Sequence, residues 1–415
     1  MTTTRPISTS VAGPTGSRRL FAAAGPDLES HRAVFGDMPG AFDEGHLIAE
    51  LETSGLAGRG GAAFPTWRKL LAASTSVNAR MGRRGRTEAV VIANGAEGEP
   101  LSRKDETLLR TSPHLVLDGL LLVAATVRAS DVIVYATAPS VAAVERAVNE
   151  RQDPTRVRFI TAPDTFLSGE ASAVVNAVGG GPALPRDHRE RLTETGLGGR
   201  PTLVQNVETL AHIALLARFG STWFRTVGSV DEPGTRLVTV SGDLTEPRVY
   251  EVACGGPLRD PLVAAGAHPA KLRAVLVGGY HGAWVPGGSL DIALSRSALE
   301  PFGAAPGAGI LMALGRDRCG LEASAEIATY LAAQSAKQCG PCANGLPRLA
   351  DVLGRLARRE REPWLPDEVA RLAALVAGRG SCHHPDGTAR LVLSALTVFA
   401  DDVTAHLHGG CEVEV

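Results

Sequence analysis

The sequence is poor in cysteine and in aromatic residues, and it has no excess of charge of either sign. Six cysteines in 415 residues are too few for a disulfide scaffold, so clustered cysteines are better interpreted as metal ligands or redox groups in a reducing compartment. Aromatic residues make up only 4 %, which argues against a stacking surface for single-stranded nucleic acid. Lysine and arginine total 42 against 44 acidic residues, so the net charge of −2 predicts no nucleic-acid partner.

Long apolar runs are missing as well. The most apolar stretch, 115–127, contains Asp118 and is too short to span a bilayer. The N-terminal segment has no apolar core of a signal peptide, so we expect a cytoplasmic protein. Hydrophobic residues, at 44 %, are abundant enough for a sizeable core. A chain of this length predicts two to four domains of about 100–200 residues each.

Composition and periodicity divide the chain into four parts and predict a multidomain α/β protein. Residues 1–40 are rich in Ser, Thr, Gly and Pro and predict a flexible arm. Residues 41–230 alternate strands with helices, the pattern of a parallel, Rossmann-like sheet. Residues 231–300 contain short alternating strands and predict a small α+β module, whereas 301–415 predict a helical bundle.

Polar residues follow the first predicted strand of the parallel sheet. The expected strands are 88–93, 131–135 and 157–161. Ligands bind such sheets at the carboxyl ends of the strands, which is where Asn94, Glu97 and Glu99 would lie. The two carboxylates indicate either a polar pocket for a nucleotide or flavin, or a turn with solvated acids. A further helix is expected over 202–218.

A glycine-rich loop precedes the first long helix of this domain. Gly55, Gly58, Gly60 and Gly61 let the backbone approach a ligand where a Cβ would clash. Free N–H groups ahead of a helix suit a phosphate. The loop follows a helix and not a strand, so it is not the usual dinucleotide fingerprint, and a flexible surface loop remains the alternative.

Three cysteines in the helical part have metal-ligand spacing. Cys339 and Cys342 form a CxxC pair, and Cys382 is followed by His383 and His384. This set is consistent with an iron–sulfur centre or with a Cys3His zinc site. A thioredoxin-type redox pair lacks the expected upstream strand, and buried cysteines without a metal are the remaining alternative.

Taken in order, the motifs resemble the NADH-binding flavoprotein of respiratory complex I (its F subunit) and its hydrogenase and formate dehydrogenase relatives. Residues 58–66 are similar to GRGGAGFPT, and 94–100 to NADESEP and still more to NGAECEP of the C subunit of the Rnf complex. Residues 166–173 are similar to YxCGEETA, and 201–209 to PTxxNNVET. The three cysteines match the last three ligands of CGxCxxC…C.

The resemblance implies an FMN- and NADH-binding domain, a β-grasp (SLBB) domain and a helical domain with one [4Fe-4S] cluster. It implies hydride transfer from NADH to FMN, with electrons leaving through the cluster to a protein acceptor. A ferredoxin-like protein, another redox protein or a membrane-bound reductase would be the acceptor. The residues expected to bind the cofactors are Gly58, Arg59, Gly60, Gly61, Phe64, Lys69, Asn94, Glu97, Gly169, Glu170 and Asn206.

Particular roles follow from the same resemblance. Glu97 and Glu170 are the expected catalytic acids near the nicotinamide, and Phe64 would supply an apolar wall. Lys69 would meet the nucleotide phosphates or the negative end of the flavin. The resemblance gives Cys339, Cys342 and Cys382 as cluster ligands and leaves the fourth open. Cys319 begins the helical part about one helix-length before Cys339 and could fold back, so it is slightly preferred over His383 and His384. Cys411 is the least favoured candidate.

Several positions depart from the family pattern. The first cluster cysteine falls on Ala336, and two acids of the nucleotide pocket fall on Ala96 and Ala171. A loop glycine is replaced by Ala63, and the glycine after the loop by Trp67. The competing hypothesis is therefore a degenerate relative that binds flavin or another ligand as a scaffold or sensor, without NADH turnover.

Overall fold

Three structural parts are present: a parallel sheet covered by helices, a mixed sheet and a helical C-terminal region, which confirms the expected α/β class. The computed structural model describes residues 8–12, 18–39, 43–84, 89–153, 155–186 and 190–413. The strands are β1 Ser8–Ala12, β2 Ala89–Gly95, β3 Ala129–Ala136, β4 Val157–Thr161, β5 Thr202–Asn206, β6 Thr235–Gly242, β7 Arg248–Ala253, β8 Leu272–Val277, β9 Ala283–Pro286 and β10 Ile310–Gly315.

The helices fall into an N-terminal group around the parallel sheet, two short helices in the mixed-sheet module and a C-terminal group. They are α1 Leu28–Phe35, α2 Glu44–Ser54, α3 Thr66–Arg84, α4 Lys104–Thr111, α5 Pro113–Thr126, α6 Ala138–Asn149, α7 Ala171–Val178, α8 Val207–Phe224, α9 Arg259–Ala264, α10 Arg296–Leu299, α11 Gly320–Ala333, α12 Leu346–Ala357, α13 Leu365–Val376, α14 His384–Val398 and α15 Ala400–Leu407.

The parallel sheet has the order β4-β3-β2-β5, and the three expected strands are present. Its fourth strand corrects the expected helix over 202–218, because residues 202–206 pair with β2 in parallel register and the helix begins only at Val207. Thr202 and Val204 supply β-branched side chains that the buried sheet edge accommodates. The added strand places Asn206 opposite Asn94 at the carboxyl edge.

Helices α5 and α8 pack closely against each other on one face of this sheet. An added Cβ at Gly119 would lie 1.9 Å from the carbonyl oxygen of Leu210, so only glycine permits this approach. The close contact fixes the position of α8, and with it the position of Asn206 at the N-terminus of that helix.

The mixed sheet has the order β1-β7-β6-β10-β8-β9 and draws on more of the chain than the expected module 231–300. Strand β10 lies between β6 and β8, so the sheet extends to Gly315. Strand β1 pairs with β7 in parallel. The expectation of a flexible arm over 1–40 is therefore wrong for residues 8–12 and 18–39, which contain β1 and α1. The β-grasp assignment stays a prediction.

A buried carboxylate anchors the N-terminal segment to the mixed sheet. The backbone N–H groups of Arg19 and Leu20 each lie 3.0 Å from Oε2 of Glu251 on β7. Thr235 donates its hydroxyl to Oε1 of Glu251 at 2.7 Å. The Arg19 guanidinium donates to the carbonyl of Phe224 at 2.9 Å, where it also compensates the C-terminal end of the α8 dipole.

The helical region packs on the mixed sheet through Trp284 of β9. Its indole N–H donates to Ser324 Oγ at 2.9 Å, and its backbone N–H donates to Ser394 Oγ at 3.0 Å. Trp284 is fully buried. The helices α11 and α14 that carry these serines are therefore held against the mixed-sheet module.

Among the described residues, no single helix is long and apolar enough to cross a membrane. Helices α4 and α5 reach the required length and composition only as a pair, and that pair bends by 95°.

Replacing the anchoring carboxylate should destabilise the protein. Glu251→Ala leaves the buried N–H groups of Arg19 and Leu20 and the hydroxyl of Thr235 without their acceptor, so the free energy of unfolding should fall by about 3 kcal/mol. Urea denaturation measures the change. The matched control, Glu246→Ala, removes an exposed carboxylate and should cost less than about 0.5 kcal/mol. Equal effects of the two substitutions would contradict the anchoring role.

Candidate active site

One cleft, with a volume of about 940 Å³, lies where the three parts of the structure meet. The parallel-sheet domain contributes the glycine loop and the strand ends. The mixed-sheet module contributes residues between 278 and 308, and the helical region contributes Cys382 and residues of α14. The predicted site residues that line it are Gly58, Gly60, Gly61, Phe64, Lys69, Asn94, Glu97, Gly169, Glu170, Asn206 and Cys382.

The glycine loop is closed on itself by backbone hydrogen bonds. Gly58 N donates to Phe64 O at 2.9 Å, and Ala57 forms an antiparallel bridge with Pro65. The fixed loop presents the exposed ring of Phe64 to the cleft. An added Cβ at Gly60 would lie 3.3 Å from Cβ of Asn206, so the loop backbone passes tightly over the end of β5.

Arg59 does not line the cleft, contrary to its predicted role in cofactor binding. Its backbone N–H donates to Thr209 Oγ1 at 2.9 Å, and its buried guanidinium donates to Thr235 O at 3.0 Å. The guanidinium also lies 4.0 Å from Glu208. Arg59 therefore fastens the loop to α8 and β6, and the cleft receives the neighbouring glycines. These partners lie 150 and 176 residues further along the chain, so the sequence around Arg59 does not reveal them.

Two asparagines stand side by side at the carboxyl edge of the parallel sheet. Asn94 donates its side-chain amide to Gly169 O at 2.9 Å. Asn206 caps α8 by accepting from Glu208 N at 3.0 Å and donates to Asp105 Oδ2 at 2.7 Å. The first turn of α8 therefore opens at the cleft with its N-terminal dipole end, an arrangement that favours an anionic group.

Glu97 and Glu170 both line the cleft, and both cap helices. The carboxylate of Glu97 accepts from Asp105 N at 3.0 Å and Glu106 N at 2.8 Å at the start of α4. That of Glu170 accepts from Ser172 N and Ala173 N at 2.9 Å at the start of α7. These bonds give each acid a role in shaping the cleft wall, and their catalytic role stays a prediction.

Lys69 is a cationic residue of the cleft lining and lies on α3, the helix that follows the glycine loop. It reaches from α3 to the sheet, where its ammonium donates to the carbonyl of Val204. Desolvation lowers the pKa of Lys69 to about 8, although the Glu170 carboxylate opposes the shift. An anionic ligand beside Lys69 would favour the protonated ammonium and raise its pKa again, so binding of the anion and protonation of Lys69 would support each other.

Glu99 lines the cleft, as expected for a polar residue after β2, although it was not among the residues assigned to cofactor binding. Its Oε2 accepts from Tyr280 N at 2.9 Å, and its buried Oε1 has no hydrogen-bond partner within the described part of the chain. Burial raises the pKa of Glu99 to about 8, so the acid is protonated at neutral pH. The side chain can therefore donate a hydrogen bond to a ligand. Its position two residues after Glu97 was the available sequence signal.

In the wall of the cleft, Lys104 is buried between two acids. Its ammonium lies 2.7 Å from Asp105 Oδ1 and 2.9 Å from Glu208 Oε2. Burial lowers the pKa of Lys104, but the two carboxylates outweigh burial and hold it above its ordinary value. The Lys104 ammonium therefore stays charged and joins the start of α4 to the start of α8, whereas burial raises the pKa of Asp105 to about 7.

The three cysteines with metal-ligand spacing come together at the helical side of the cleft. The three thiols lie close enough that Cys339 and Cys342 interact electrostatically with each other and with Cys382. Although burial opposes it, the N–H groups of Cys342 and Ser381 lower the pKa of Cys339. Three soft thiolate donors fit an iron–sulfur cluster, but position 336 supplies no donor, so the fourth iron has no matching cysteine.

The two histidines beside Cys382 differ sharply. His384 is buried: its Nε2–H donates to Leu331 O at 2.8 Å, and its Nδ1 therefore accepts from His281 at 3.0 Å. His383 has a side chain that is 94 % exposed, with Nδ1 3.0 Å from Asp386. Of the two, His383 retains a ring nitrogen that can reach a metal.

Cys319 does not join this group, which contradicts its expected role as the fourth ligand. It caps the N-terminus of α11, a helix of 14 residues, whereas Ala336 and Cys339 follow the opposite end. A helix of this length spans about 21 Å. The expected fold-back of Cys319 is therefore absent, and its thiol instead lies 3.5 Å from His406.

Comparison with known families identifies both halves of the site. Residues 51–215 match the Nuo51 FMN-binding domain, and residues 322–406 match the NADH-ubiquinone oxidoreductase-F iron-sulfur binding region. The chain is 28 % identical to the F 2 subunit of NADH-quinone oxidoreductase of Rhizobium meliloti strain 1021, covering 89 % of this chain and 90 % of that protein. It is 26 % identical to the corresponding F subunit of Escherichia coli K12, and the match covers 86 % of this chain and 84 % of that protein.

A solved structure supports the same relationship. The chain matches one polypeptide of an NAD+-reducing [NiFe]-hydrogenase in the H2-reduced state with a TM-score of 0.83 and 26 % identity. The match covers 96 % of this chain and 68 % of the hydrogenase polypeptide. The resemblance to the NADH-binding flavoprotein of complex I is confirmed.

Two departures from that family lie in the cleft wall. Ala96 and Ala171, which replace acids of the nucleotide pocket, both line the cleft. The methyl groups remove two negative charges from this wall. The cleft lining still contains six acids, of which Glu97 and Glu170 cap helices. The other four are Glu99, Asp105, Glu300 and Asp386.

Restoring the missing cysteine should complete the cluster. Ala336→Cys should raise the iron content from about three to about four per chain and convert a [3Fe-4S] electron paramagnetic resonance signal to that of a reducible [4Fe-4S] cluster. Ala333→Cys, on an exposed position one turn earlier, is the control and should change neither. If the unmodified protein already contains four irons and Ala336→Cys leaves that number unchanged, the fourth iron does have a ligand. His383→Ala would then test whether His383 is that ligand.

Proposed function

We propose that this chain, a divergent member of the family of NADH-binding flavoproteins found in NADH-quinone oxidoreductase, is a flavoprotein oxidoreductase that takes electrons from NADH and passes them through FMN and an iron–sulfur cluster to a protein acceptor. The observation that carries the proposal is the shared cleft. Its lining includes the glycine loop, the strand-end asparagines and Cys382. A donor, a flavin and a cluster can therefore meet without a large movement of the chain.

The residues of the parallel-sheet domain fit FMN. The closed glycine loop offers backbone without side chains, and the α8 N-terminus beside Asn206 suits a phosphate. Lys69 supplies a cation whose charge an anionic group would stabilise. The cleft volume of about 940 Å³ is at the upper end of ligand sites and leaves room for a second ligand.

The cofactors supply the hydride and one-electron chemistry, and the chain positions them. Phe64 provides an apolar wall, and Glu97 and Glu170 hold the turns that carry Ala96 and Ala171. Glu99, protonated at neutral pH, offers a hydrogen bond at the same surface. The walls come from all three parts of the structure, and they would shield part of a bound nucleotide from water.

The acceptor is a redox protein that approaches the helical side. Cys382 lines the cleft, whereas Cys339 is half-exposed, so the cluster would lie between the flavin and the protein surface. A ferredoxin-like protein or a membrane-bound reductase is the proposed partner class. All six cysteines are free, which is consistent with the reducing cytoplasm as the location.

A scaffold without NADH turnover is the second candidate. The replacement of acids by Ala96 and Ala171 in the cleft wall and of a cluster ligand by Ala336 favours it. The two functions differ in a simple assay. The oxidoreductase oxidises NADH with ferricyanide as acceptor, whereas a scaffold retains FMN and oxidises neither NADH nor NADPH.

A side chain on the loop should expel the flavin. Gly60→Val forces γ-carbons against Asn206 and displaces the loop, so FMN affinity should fall at least tenfold, about 1.4 kcal/mol, and NADH–ferricyanide activity should fall with it. Gly288→Val, where an added Cβ meets nothing within 4 Å, is the control. Stoichiometric FMN in Gly60→Val would show that the loop does not line the flavin site.

Flavin binding should take up a proton in alkaline solution. Free Lys69, with its pKa lowered to about 8, is mostly neutral at pH 9, whereas an adjacent phosphate raises that pKa and favours the charged form. Calorimetry of FMN binding to apoprotein in buffers of different ionisation enthalpy should therefore report uptake of up to about one proton. Lys69→Met should abolish the uptake. Binding without uptake in the unmodified protein would exclude Lys69 as the anion partner.

A further inference from the structure

Four potential metal ligands lie together at the C-terminal end of the helical region, away from the cleft. They are Cys319 at the N-cap of α11, Asp402 and His406 on α15, and Cys411 in the segment after α15. One ligand atom of each lies within 4.8 Å of all the others. Three of the four residues are buried, and Cys411 is half-buried.

The spacing of these atoms is that of a tetrahedral site. Cys319 Sγ lies 3.5 Å from His406 Nε2, and Cys411 Sγ lies 3.8 Å from Asp402 Oδ1. A zinc–sulfur bond of about 2.3 Å and a zinc–nitrogen or zinc–oxygen bond of about 2.0 Å, meeting at the tetrahedral angle, separate their outer atoms by about 3.5 Å. Two pairs of the group are therefore close to ligand spacing without rearrangement.

His406 is held in the tautomer that a metal requires. Its ring is fully buried, and Nδ1–H donates to the carbonyl oxygen of Leu356 at 3.0 Å. The lone pair is consequently on Nε2, which faces Cys319. A backbone carbonyl on the second ring nitrogen is the usual support of a metal-bound histidine.

Asp402 is supported in the same way. Arg273 on β8 donates its guanidinium to Oδ2 of Asp402, and Glu412 N donates to Oδ1 at 3.2 Å. Two thiolates and one carboxylate would carry three negative charges, which one divalent cation and the Arg273 guanidinium would balance. Without a metal, Asp402 is paired with Arg273 and the two cysteines are thiols, which would release their protons when a metal binds.

We propose that Cys319, Asp402, His406 and Cys411 form a structural zinc site. Two cysteines, one histidine and one carboxylate match the donor types that zinc prefers, and four protein ligands leave no open position for catalysis. The site ties the segment that contains Cys411 to the start of α11 and, through Arg273, to the mixed sheet. It is distinct from the cysteine group at the cleft and goes beyond the proposed redox function.

Metal analysis of the full-length protein, purified without added metal or chelator, tests the proposal. We expect about one zinc per chain, and zinc-edge X-ray absorption should show two sulfur ligands at about 2.3 Å and two nitrogen or oxygen ligands at about 2.0 Å. Absence of zinc, or zinc with three or more sulfur ligands, would overturn the assignment. A quantitative Cys319–Cys411 disulfide in protein prepared under reducing conditions would also overturn it.

Variants separate this site from the iron–sulfur group. Cys411→Ser should lower zinc retention at least tenfold and leave the iron content unchanged. His408→Ala, an exposed histidine near the end of α15, is the matched control and should keep zinc. Cys382→Ser should lose iron and keep zinc. Zinc that persists in Cys411→Ser but disappears in Cys382→Ser would place the metal at the cleft instead. If Cys411→Ser does not fold, the zinc-edge X-ray absorption spectrum of the unmodified protein decides whether the site exists.

Discussion

The architecture of the cleft depends on the buried ion group around Lys104. Its ammonium pairs with Asp105 and Glu208, and Glu208 in turn accepts from the backbone N–H of Leu237 at 2.8 Å. Arg59 lies against the same carboxylate. Because an unpaired buried charge is strongly unfavourable, the glycine loop, α4, α8 and β6 must assemble together. Charge pairing thus fixes the wall of the cleft at Lys104 and Asp105, and the glycine loop and helix termini form the adjoining surface.

This arrangement separates residues that hold the site from residues that face a ligand. The loop glycines, Asn206 and Lys69 offer backbone N–H groups, a helix terminus and a cation, which suit the phosphate and ring of a flavin. The carboxylates of Glu97 and Glu170 accept hydrogen bonds from the first backbone N–H groups of α4 and α7. The chemistry then depends on the bound cofactors, and the chain's contribution is their relative position, as in other cofactor enzymes.

Local signals predicted much of the site, and contacts distant in sequence explain the rest. The glycine loop and the residue after β2 could be located because strand endings and glycine runs are visible in short windows. The sequence could not show that the Arg59 side chain turns away from the cleft, because its hydrogen-bond partners lie about 150 residues or more further along the chain. Strand β5 was mistaken for helix because five residues carry too little periodicity. Sequence order places Cys319 at the N-terminal end of α11 but does not show that His406, Asp402 and Cys411 surround that end, so the sequence could not exclude Cys319 as a cluster ligand.

The central claim is that one cleft connects a nucleotide donor, a flavin and a cluster. Anaerobic titration of the purified protein with NADH, followed at once by visible absorption and electron paramagnetic resonance, tests it most directly. The account predicts that the flavin band bleaches and that the cluster is reduced in the same titration, with both responses lost in Gly60→Val and only the cluster response lost in Cys382→Ser. A flavin band unaffected by NADH and NADPH, or a flavin that bleaches while an intact cluster of suitable potential stays oxidised, would contradict the claim.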